Sequence, residues 1–216
     1  MSIQEIRQAV MDYDEDEVAR LVRAEVDAGT NVKTVLDQGL ISALDEIGAK
    51  FAAGTIFVPE MLMAAEGVKA GLDILRPLLT NTGAKPVGTI VIGTVKGDLH
   101  DIGKNLVGMM FEGAGFKLID LGIDVDPEAF ISAAQENEAD IIAMSGLLTT
   151  SMPEMAKAVS AVREAVKNRN IRVKVMVGGP PVNQEFADKI GADAYGQDAP
   201  AAVEKARAIM AAAVAA

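Results

Sequence analysis

The sequence predicts a two-part α + α/β protein in which a small helical bundle precedes a parallel α/β domain. Two observations support this prediction. Near residue 86 the apolar residues change from helical spacing to short continuous runs, and those runs then alternate five times with helical patterns. Residues 81–86 lie between the two patterns and have the small, turn-forming composition of a linker. We therefore expect a helical domain over residues 1–84 and an α/β domain over residues 85–216.

The first part has the apolar pattern of amphipathic helices. Up to about residue 79, apolar residues recur three and four positions apart, and β-branched runs are missing. Breaks at residues 12–14, 29–31 and 54–55 divide this part into four helices with short loops, which is typical of a four-helix bundle. Asp14 is expected to cap the second helix, and Pro59 to lie in the first turn of the last.

The second part has the pattern of alternating strands and helices. Short apolar runs predict four strands and a weaker fifth, at residues 87–93, 117–121, 140–144, 173–177 and 192–195. Helical patterns follow the first four at residues 101–113, 127–137, 153–168 and 183–190, and an Ala-rich one follows the fifth. This alternation predicts a doubly wound, flavodoxin-like (Rossmann-type) sheet of five parallel strands, with helices on both faces.

Composition excludes several classes of protein. The net charge of −11, without a basic cluster, disfavours nucleic acid and anionic membrane surfaces as partners. No signal peptide and no apolar run of membrane-spanning length is present, so we expect a cytoplasmic location. The chain has no cysteine and one histidine, which excludes disulfides, thiolate metal sites and multi-histidine metal sites.

The single histidine, His100, lies where this fold binds ligands. In a sheet of strand order 2-1-3-4-5, ligands bind at the carboxyl ends of the first and third strands, where the order reverses. The loops expected there, residues 94–102 and 145–152, are rich in small and polar residues. A lone loop histidine is more often a surface residue. Asp98, however, is placed to accept a hydrogen bond from one imidazole nitrogen, which leaves the other free for a metal.

Two other interpretations fit these loops less well. Asp98 and Asp101, with Asp120 or Asp124, suggest the acidic pocket of a phospho-receiver, but the third strand ends in Met144-Ser145 instead of an acidic residue. The Lys96-Gly97 pair lacks the spacing of a Walker phosphate-binding loop.

Three motifs in these loops resemble the signature of corrinoid-binding domains. They are Asp98-x-His100-x-x-Gly103, Ser145-x-Leu147 and Gly178-Gly179. The longer run 95–105 is similar to the methyltransferase branch, which includes cobalamin-dependent methionine synthase and the corrinoid proteins of methanol, methylamine and demethylase systems.

The resemblance extends to the helical half. Residues 54–65 resemble the helical cap that lies over the upper cobalt face, which would place Phe57 and Met61 against the cofactor. The alternative is that these residues are plain bundle core.

The resemblance implies a role for each matching residue. His100 would be the lower axial ligand of cobalt, Asp98 would hold its other nitrogen, and Ser151 would complete a His–Asp–Ser relay. Ser145 and Thr149 would contact the nucleotide tail, which would pass Gly178 and Gly179. The other cofactor-binding positions would be Gly97, Leu99, Asp101, Ile102, Gly103 and Leu147. The stretch 147–178 is slightly longer than the family norm, which leaves the tail contacts open.

The implied function is a corrinoid methyl carrier in one-carbon metabolism or demethylation. It would accept a methyl group on Co(I) from a substrate-specific methyltransferase and deliver it as methyl-Co(III) to a second methyltransferase, with tetrahydrofolate or a thiol coenzyme as acceptor. A reductive activase would rescue Co(II), and the two halves would swing apart about residues 81–86.

Two other classes remain open for a corrinoid protein. One is a cobalamin-dependent sensor or regulator, and the other is the cobalamin subunit of an adenosylcobalamin mutase. The 216 residues leave no room for a substrate barrel, so we expect a component of a methyltransferase system and not a complete enzyme.

Overall fold

The computed structural model describes residues 2–81, 86–169 and 171–214. The predicted domain boundary and most of the predicted linker and hinge fall on residues 82–85, outside the described residues. The chain divides into a helical unit, Met1–Pro86 with Glu112–Gly115, and an α/β unit, Val87–Phe111 with Phe116–Ala216. None of the helices described is both long and apolar enough to cross a bilayer.

Residues 2–81 of the helical unit form four helical segments, as predicted. They are α1 (Ile3–Met11), α2 (Glu15–Asp27), a continuous third segment made of α3 (Val32–Thr34), a π-helix (Val35–Ile41) and α4 (Ser42–Ala52), and α5 (Val58–Asn81). The Asp14 carboxylate accepts a hydrogen bond from the Glu17 amide at 3.0 Å and so caps α2, and Pro59 lies in the first turn of α5. The π-helix was not predicted.

The α/β unit is a five-stranded parallel sheet with the predicted strand order. Its elements are β1 (Thr89–Thr94), α6 (Ile102–Gly113), β2 (Lys117–Asp120), α7 (Pro127–Glu136), β3 (Ile141–Ser145), α8 (Met152–Asn168), β4 (Lys174–Gly178), α9 (Gln184–Ile190), β5 (Ala194–Gly196) and α10 (Ala199–Val214). The order is β2-β1-β3-β4-β5, and all four pairings are parallel. The fold class is therefore confirmed.

The central strands form the core of this unit. Most residues of β1, β3 and β4 are buried, as expected when helices cover both faces of a parallel sheet. On one face, Val91, Ile142 and Val175 pack in one cluster with side chains of α7, α8 and α9. Successive residues of a strand point to opposite faces, so the continuous apolar runs in the sequence serve both layers.

The sheet register places the ends of three strands side by side. Thr94 at the end of β1 pairs with Ser145 at the end of β3, and Ser145 pairs with Gly178 at the end of β4. The segments that follow these three residues therefore leave the sheet from one edge, at the point where the strand order reverses.

A glycine in β1 makes room for a large, fully buried side chain on this face of the sheet. A Cβ at Gly93 would lie 2.9 Å from the ring of Phe130, which is fully buried. We expect Gly93→Ala to lower the free energy of unfolding by about 1–3 kcal/mol, because the ring would be forced out of its position. Phe130→Leu should recover part of that loss in the double variant. Urea unfolding of the wild type, both single variants and the double variant measures the coupling, and purely additive effects would contradict the packing described.

Candidate functional site

The centre of the site is the carboxylate of Asp98, which is fully buried and accepts five hydrogen bonds. Oδ1 accepts from the backbone amide of His100 at 3.1 Å and from its ring Nδ1 at 2.7 Å. Oδ2 accepts from the amides of Leu147 and Leu148, at 2.7 and 3.2 Å, and from the hydroxyl of Ser151 at 2.9 Å. One side chain thus joins the loop after β1 to the loop after β3.

These hydrogen bonds determine the charge of Asp98. Burial raises the pKa of the carboxyl, but the hydrogen bonds from the His100 ring, the Leu147 amide, the His100 amide and Ser151 outweigh burial and hold the pKa well below its ordinary value of 3.8. Asp98 is therefore ionised at neutral pH. An ionised carboxylate only accepts hydrogen bonds, which matches the five donors around it.

The ionised carboxylate also determines the tautomer of His100. Because Asp98 Oδ1 can only accept, the proton of a neutral imidazole lies on Nδ1, and Nε2 keeps its lone pair. No side chain in residues 2–81, 86–169 or 171–214 hydrogen-bonds to Nε2, and the His100 side chain is half exposed. The Thr94 hydroxyl, itself buried, donates to the His100 carbonyl oxygen at 2.9 Å and so fixes the backbone beneath the ring. His100 thus presents one imidazole nitrogen with a free lone pair at the carboxyl ends of the strands, and such a nitrogen can bind a metal.

Ser151 lies on the far side of Asp98 from His100. Its hydroxyl is 2.9 Å from Asp98 Oδ2 and 2.7 Å from the carbonyl oxygen of Leu148. A hydroxyl carries one proton, so Ser151 donates to only one of these two acceptors at a time. The structure therefore brings together the three predicted relay residues, and the serine proton has two alternative acceptors.

Glycines open the neighbouring segment after β4. Gly179 has a φ of +124°, and a Cβ there would lie 1.9 Å from the carbonyl oxygen of Gly146, so no other residue fits. The Gly146 amide donates to the Gly178 carbonyl oxygen at 3.2 Å, which ties this segment to the loop after β3. Ser145 is half-buried at the end of β3, and Thr149 is exposed in the loop beyond it.

The surface around the imidazole is open and largely apolar. A Cβ at Gly97 or Gly103 would have no atom within 4 Å. Leu99 is 67% exposed and Ile102 76% exposed on either side of His100, and Leu147 is 41% exposed. Exposed apolar side chains beside the free Nε2 of His100 suit a flat molecule that has an apolar edge and carries a metal.

The remaining predicted residues are Asp101 in the α/β unit and Phe57 and Met61 in the helical unit. Asp101 is exposed, and its carboxylate accepts from the Asn105 side chain at 3.2 Å. In the helical unit, Phe57 is 67% exposed, whereas Met61 is fully buried. The burial of Met61 supports the interpretation that Met61 is part of the bundle core. Phe57 is exposed, so it is not part of that core.

One buried residue near the site was assigned no role from the sequence. Lys104 in the first turn of α6 is 3% exposed, and its ammonium donates to Asp120 at 2.5 Å and to Asn105 at 2.6 Å. Lys104 lies on the same helical face as the buried Gly108 and Phe111. A lysine within an apolar helical stripe is the sequence feature that could have identified it as a buried, paired charge. The ion pair also gives Asp120 a structural partner, which removes Asp120 from an acidic pocket.

The donor set fits a metal that brings most of its own ligands. Among the described residues, no group of three or more His, Cys, Asp or Glu side chains could hold a metal ion. His100 therefore offers a single nitrogen, and any metal bound there must bring its other ligands with it, as a corrinoid macrocycle does. The open glycine positions and the exposed apolar side chains leave space for such a group.

We expect Asp98→Asn to change the tautomer of His100. The asparagine oxygen would keep the Leu147 and Ser151 donors, so its NH2 group would face Nδ1 and favour the tautomer with the proton on Nε2, which cannot bind a metal. Because the chain has one histidine, the imidazole ¹⁵N chemical shifts report this tautomer without ambiguity. Asp188→Asn, an exposed site on α9 with the same change of charge, should leave the shifts unchanged. Wild-type shifts in Asp98→Asn would contradict the assignment.

The lowered pKa of Asp98 predicts a loss of stability in acid. The unfolded carboxyl, with its ordinary value of 3.8, binds a proton more readily than the folded one, so acid favours unfolding. The contribution of the ionised group is fully present above about pH 4 and is lost as the pH falls further. Urea midpoints between pH 2 and 6 should fall more steeply for the wild type than for Asp98→Asn. Parallel curves would show that Asp98 does not cause the loss.

Comparisons with known proteins agree with this geometry. B12 binding domain families match residues 88–204 and residues 2–76. A corrinoid protein of Desulfitobacterium hafniense is 43% identical over 211 residues, which cover 96% of this chain and 97% of that protein. Trimethylamine corrinoid protein 1 of Methanosarcina acetivorans is 39% identical over 212 residues, which cover 96% of each.

Solved structures agree as well. A chain in the methanol:cobalamin methyltransferase complex of Methanosarcina barkeri aligns with a TM-score of 0.81 and 30% identity, over 97% of this chain and 79% of that one. Sequence, fold and site geometry thus lead to one assignment. The chain belongs to the corrinoid proteins with B12 binding domains, and its cofactor is a corrinoid.

Proposed function

We propose that this chain is the methyl carrier of a corrinoid-dependent methyltransferase system, in which His100 would bind the cobalt of the corrinoid. The observation that carries the proposal is the orientation of the His100 imidazole at the switch point of the sheet: the ionised Asp98 holds Nδ1, and no described side chain hydrogen-bonds to Nε2. When bound, the corrinoid supplies a cobalt centre that accepts and gives up a methyl group.

The role of Asp98 is to keep His100 ready to bind and to release. An ionised carboxylate on Nδ1 makes Nε2 more basic and fixes the ring orientation, which strengthens the imidazole as a ligand. When His100 is not bound to metal, the same hydrogen bond, 2.7 Å long, would hold the ring in place.

Ser151 adjusts the charge that Asp98 presents to His100. When the Ser151 hydroxyl donates to Asp98, the hydrogen bond offsets part of the carboxylate charge. When the hydroxyl donates to the Leu148 carbonyl oxygen, the carboxylate keeps its full charge. We therefore assign Ser151 to the relay, as the group that shifts the basicity of His100 through Asp98.

The remaining site residues are assigned to the body of the cofactor. Leu99, Ile102 and Leu147 would contact the apolar edge of the corrin ring, since they are exposed beside His100. The nucleotide tail would pass Ser145, Thr149 and the Gly178–Gly179 pair, where side chains are small or missing. Phe57, an exposed aromatic residue of the helical unit, remains our candidate for the residue that covers the upper face.

The partners follow from the role of a carrier. The relative that is 39% identical is named for trimethylamine, and a solved complex at 30% identity is named for methanol. We propose a methylated amine as the methyl donor, since that relative is the more similar of the two. A substrate-specific methyltransferase would load the carrier, a second would unload it to tetrahydrofolate or a thiol coenzyme, and a reductive activase would maintain it.

His100→Ala tests the ligand assignment. We expect the variant loaded with methylcobalamin to lose the absorption spectrum of a nitrogen-coordinated lower face, and its affinity for the cofactor to fall by about 10- to 100-fold. No other histidine is present to replace His100. Gln135→Ala, an exposed site on α7, should behave as wild type, and added imidazole should restore the spectrum of His100→Ala. An unchanged spectrum in His100→Ala would refute the assignment.

The loaded wild type also tests the carrier role and the donor class. Methyl transfer is measured from trimethylamine or methanol, with the corresponding methyltransferases, to tetrahydrofolate or a thiol. Transfer that depends on this chain and prefers the amine supports the proposal. Failure with every donor, together with binding of adenosylcobalamin alone, would favour a sensor or a mutase subunit.

A further inference from the structure

The loop that carries His100 is fixed from a second side by Asp124, a residue outside the motifs of the cofactor site. The Asp124 amide donates to the Asp98 carbonyl oxygen at 3.1 Å. Its carboxylate Oδ1 accepts from the amide of Gly97 at 2.7 Å. Asp124 therefore holds both ends of the residue pair Gly97–Asp98, just before His100.

The backbone of Asp124 has an unusual conformation that makes these contacts possible. Its φ is +53°, in the left-handed region, where Gly, Asn and Asp are tolerated and most other residues are strained. Gly97, which faces it, is also left-handed, with a φ of +80°. The hydrogen bond from the Gly97 amide to the Asp124 carboxylate therefore joins two residues that both have a left-handed backbone.

The segment around Asp124 is anchored to the end of β1. The Thr94 amide donates to the Gly122 carbonyl at 2.9 Å, and the Val125 amide donates to the Thr94 carbonyl at 2.9 Å. Val95 and Val125 form a parallel bridge. Asp124 projects from a segment whose register is fixed on both sides, so its own position is well determined.

We propose that Asp124 is a positioning residue for His100, which it reaches through Asp98; this inference depends on the proposed ligand role of His100. The Asp98 carboxylate must meet both the amide and the ring of His100, two residues further along. That turn requires a fixed backbone orientation at Gly97 and Asp98, and Asp124 bonds the peptide group on each side of this pair. Donors from Leu147, Leu148 and Ser151 fix the carboxylate end of Asp98, and Asp124 fixes the backbone end.

Three substitutions separate the two contributions of Asp124. Asp124→Asn keeps the side-chain acceptor and tolerates the left-handed backbone. Asp124→Gly keeps the backbone conformation but removes the acceptor for Gly97. Asp124→Ala removes the acceptor and disfavours the backbone conformation. Glu138→Ala is the control. Glu138 is exposed and has a φ of +48°, but it lies just before β3, at the amino-terminal ends of the strands and so away from His100.

Each variant is loaded with cobalamin and reduced to the Co(II) state. The histidine is labelled with ¹⁵N, so that the electron paramagnetic resonance splitting of its imidazole nitrogen differs from that of the cofactor's own benzimidazole and gives the ratio of His-bound to His-free cobalt. The dissociation constant of cobalamin is measured in parallel. We expect wild-type values for Asp124→Asn, an intermediate ratio for Asp124→Gly, and for Asp124→Ala about a tenfold fall in the ratio with weaker binding.

Glu138→Ala should leave the ratio unchanged. A wild-type ratio in both Asp124→Gly and Asp124→Ala would overturn the positioning role, provided that His100→Ala loses the nitrogen splitting. An equal loss of the ratio in Glu138→Ala would overturn it too, because the effect would then reflect general destabilisation. If His100→Ala keeps the splitting, the ligand assignment itself fails, whatever the Asp124 variants show.

Discussion

The site depends on how a buried carboxylate is satisfied. Asp98 is fully buried and ionised, and an unpaired charge in that position would cost several kcal/mol. Its five donors come from two loops, one after β1 and one after β3. Those loops adjoin only because β1 and β3 are neighbours in the sheet. The strand order that makes a crevice at this edge is therefore also the order that allows Asp98 to be buried beneath His100.

Periodicity predicted the parts of the structure that follow from burial. The alternation of apolar runs and helical patterns gave five strands and the helices between them, and the rule for doubly wound sheets placed His100 at the switch point. The side chains of Asp98 and Ser151 have a chemistry that is visible in the sequence. The backbone amides of Leu147 and Leu148 could not be predicted as donors, since every residue except proline has an amide. Only the folded loop points these two amides at Asp98.

Other features could not be predicted because their signals are ambiguous. The π-helix at Val35–Ile41 has the same apolar spacing as an α-helix within the tolerance of a short segment. Helical spacing in residues 54–65 could not predict that Phe57 is exposed and Met61 buried. Both side chains are apolar, so each is equally compatible with a place in the bundle core and with a contact to a cofactor. Asp124 was considered only as a member of an acidic pocket, and its left-handed φ has no marker in the sequence beyond the residue type.

The proposed ligand role of His100 explains why so much structure surrounds one imidazole. If the corrinoid brings the other ligands, the chain would act on the metal through the tautomer and the position of His100. Each of these is set by a different contact: the acceptor oxygen of Asp98 sets the tautomer, and the backbone held by Thr94 and Asp124 sets the position. A ligand in the proposed carrier role would need both to persist while it is not bound to the metal. The hydrogen bonds that hold Asp98 meet this need, since none of them involves the cofactor.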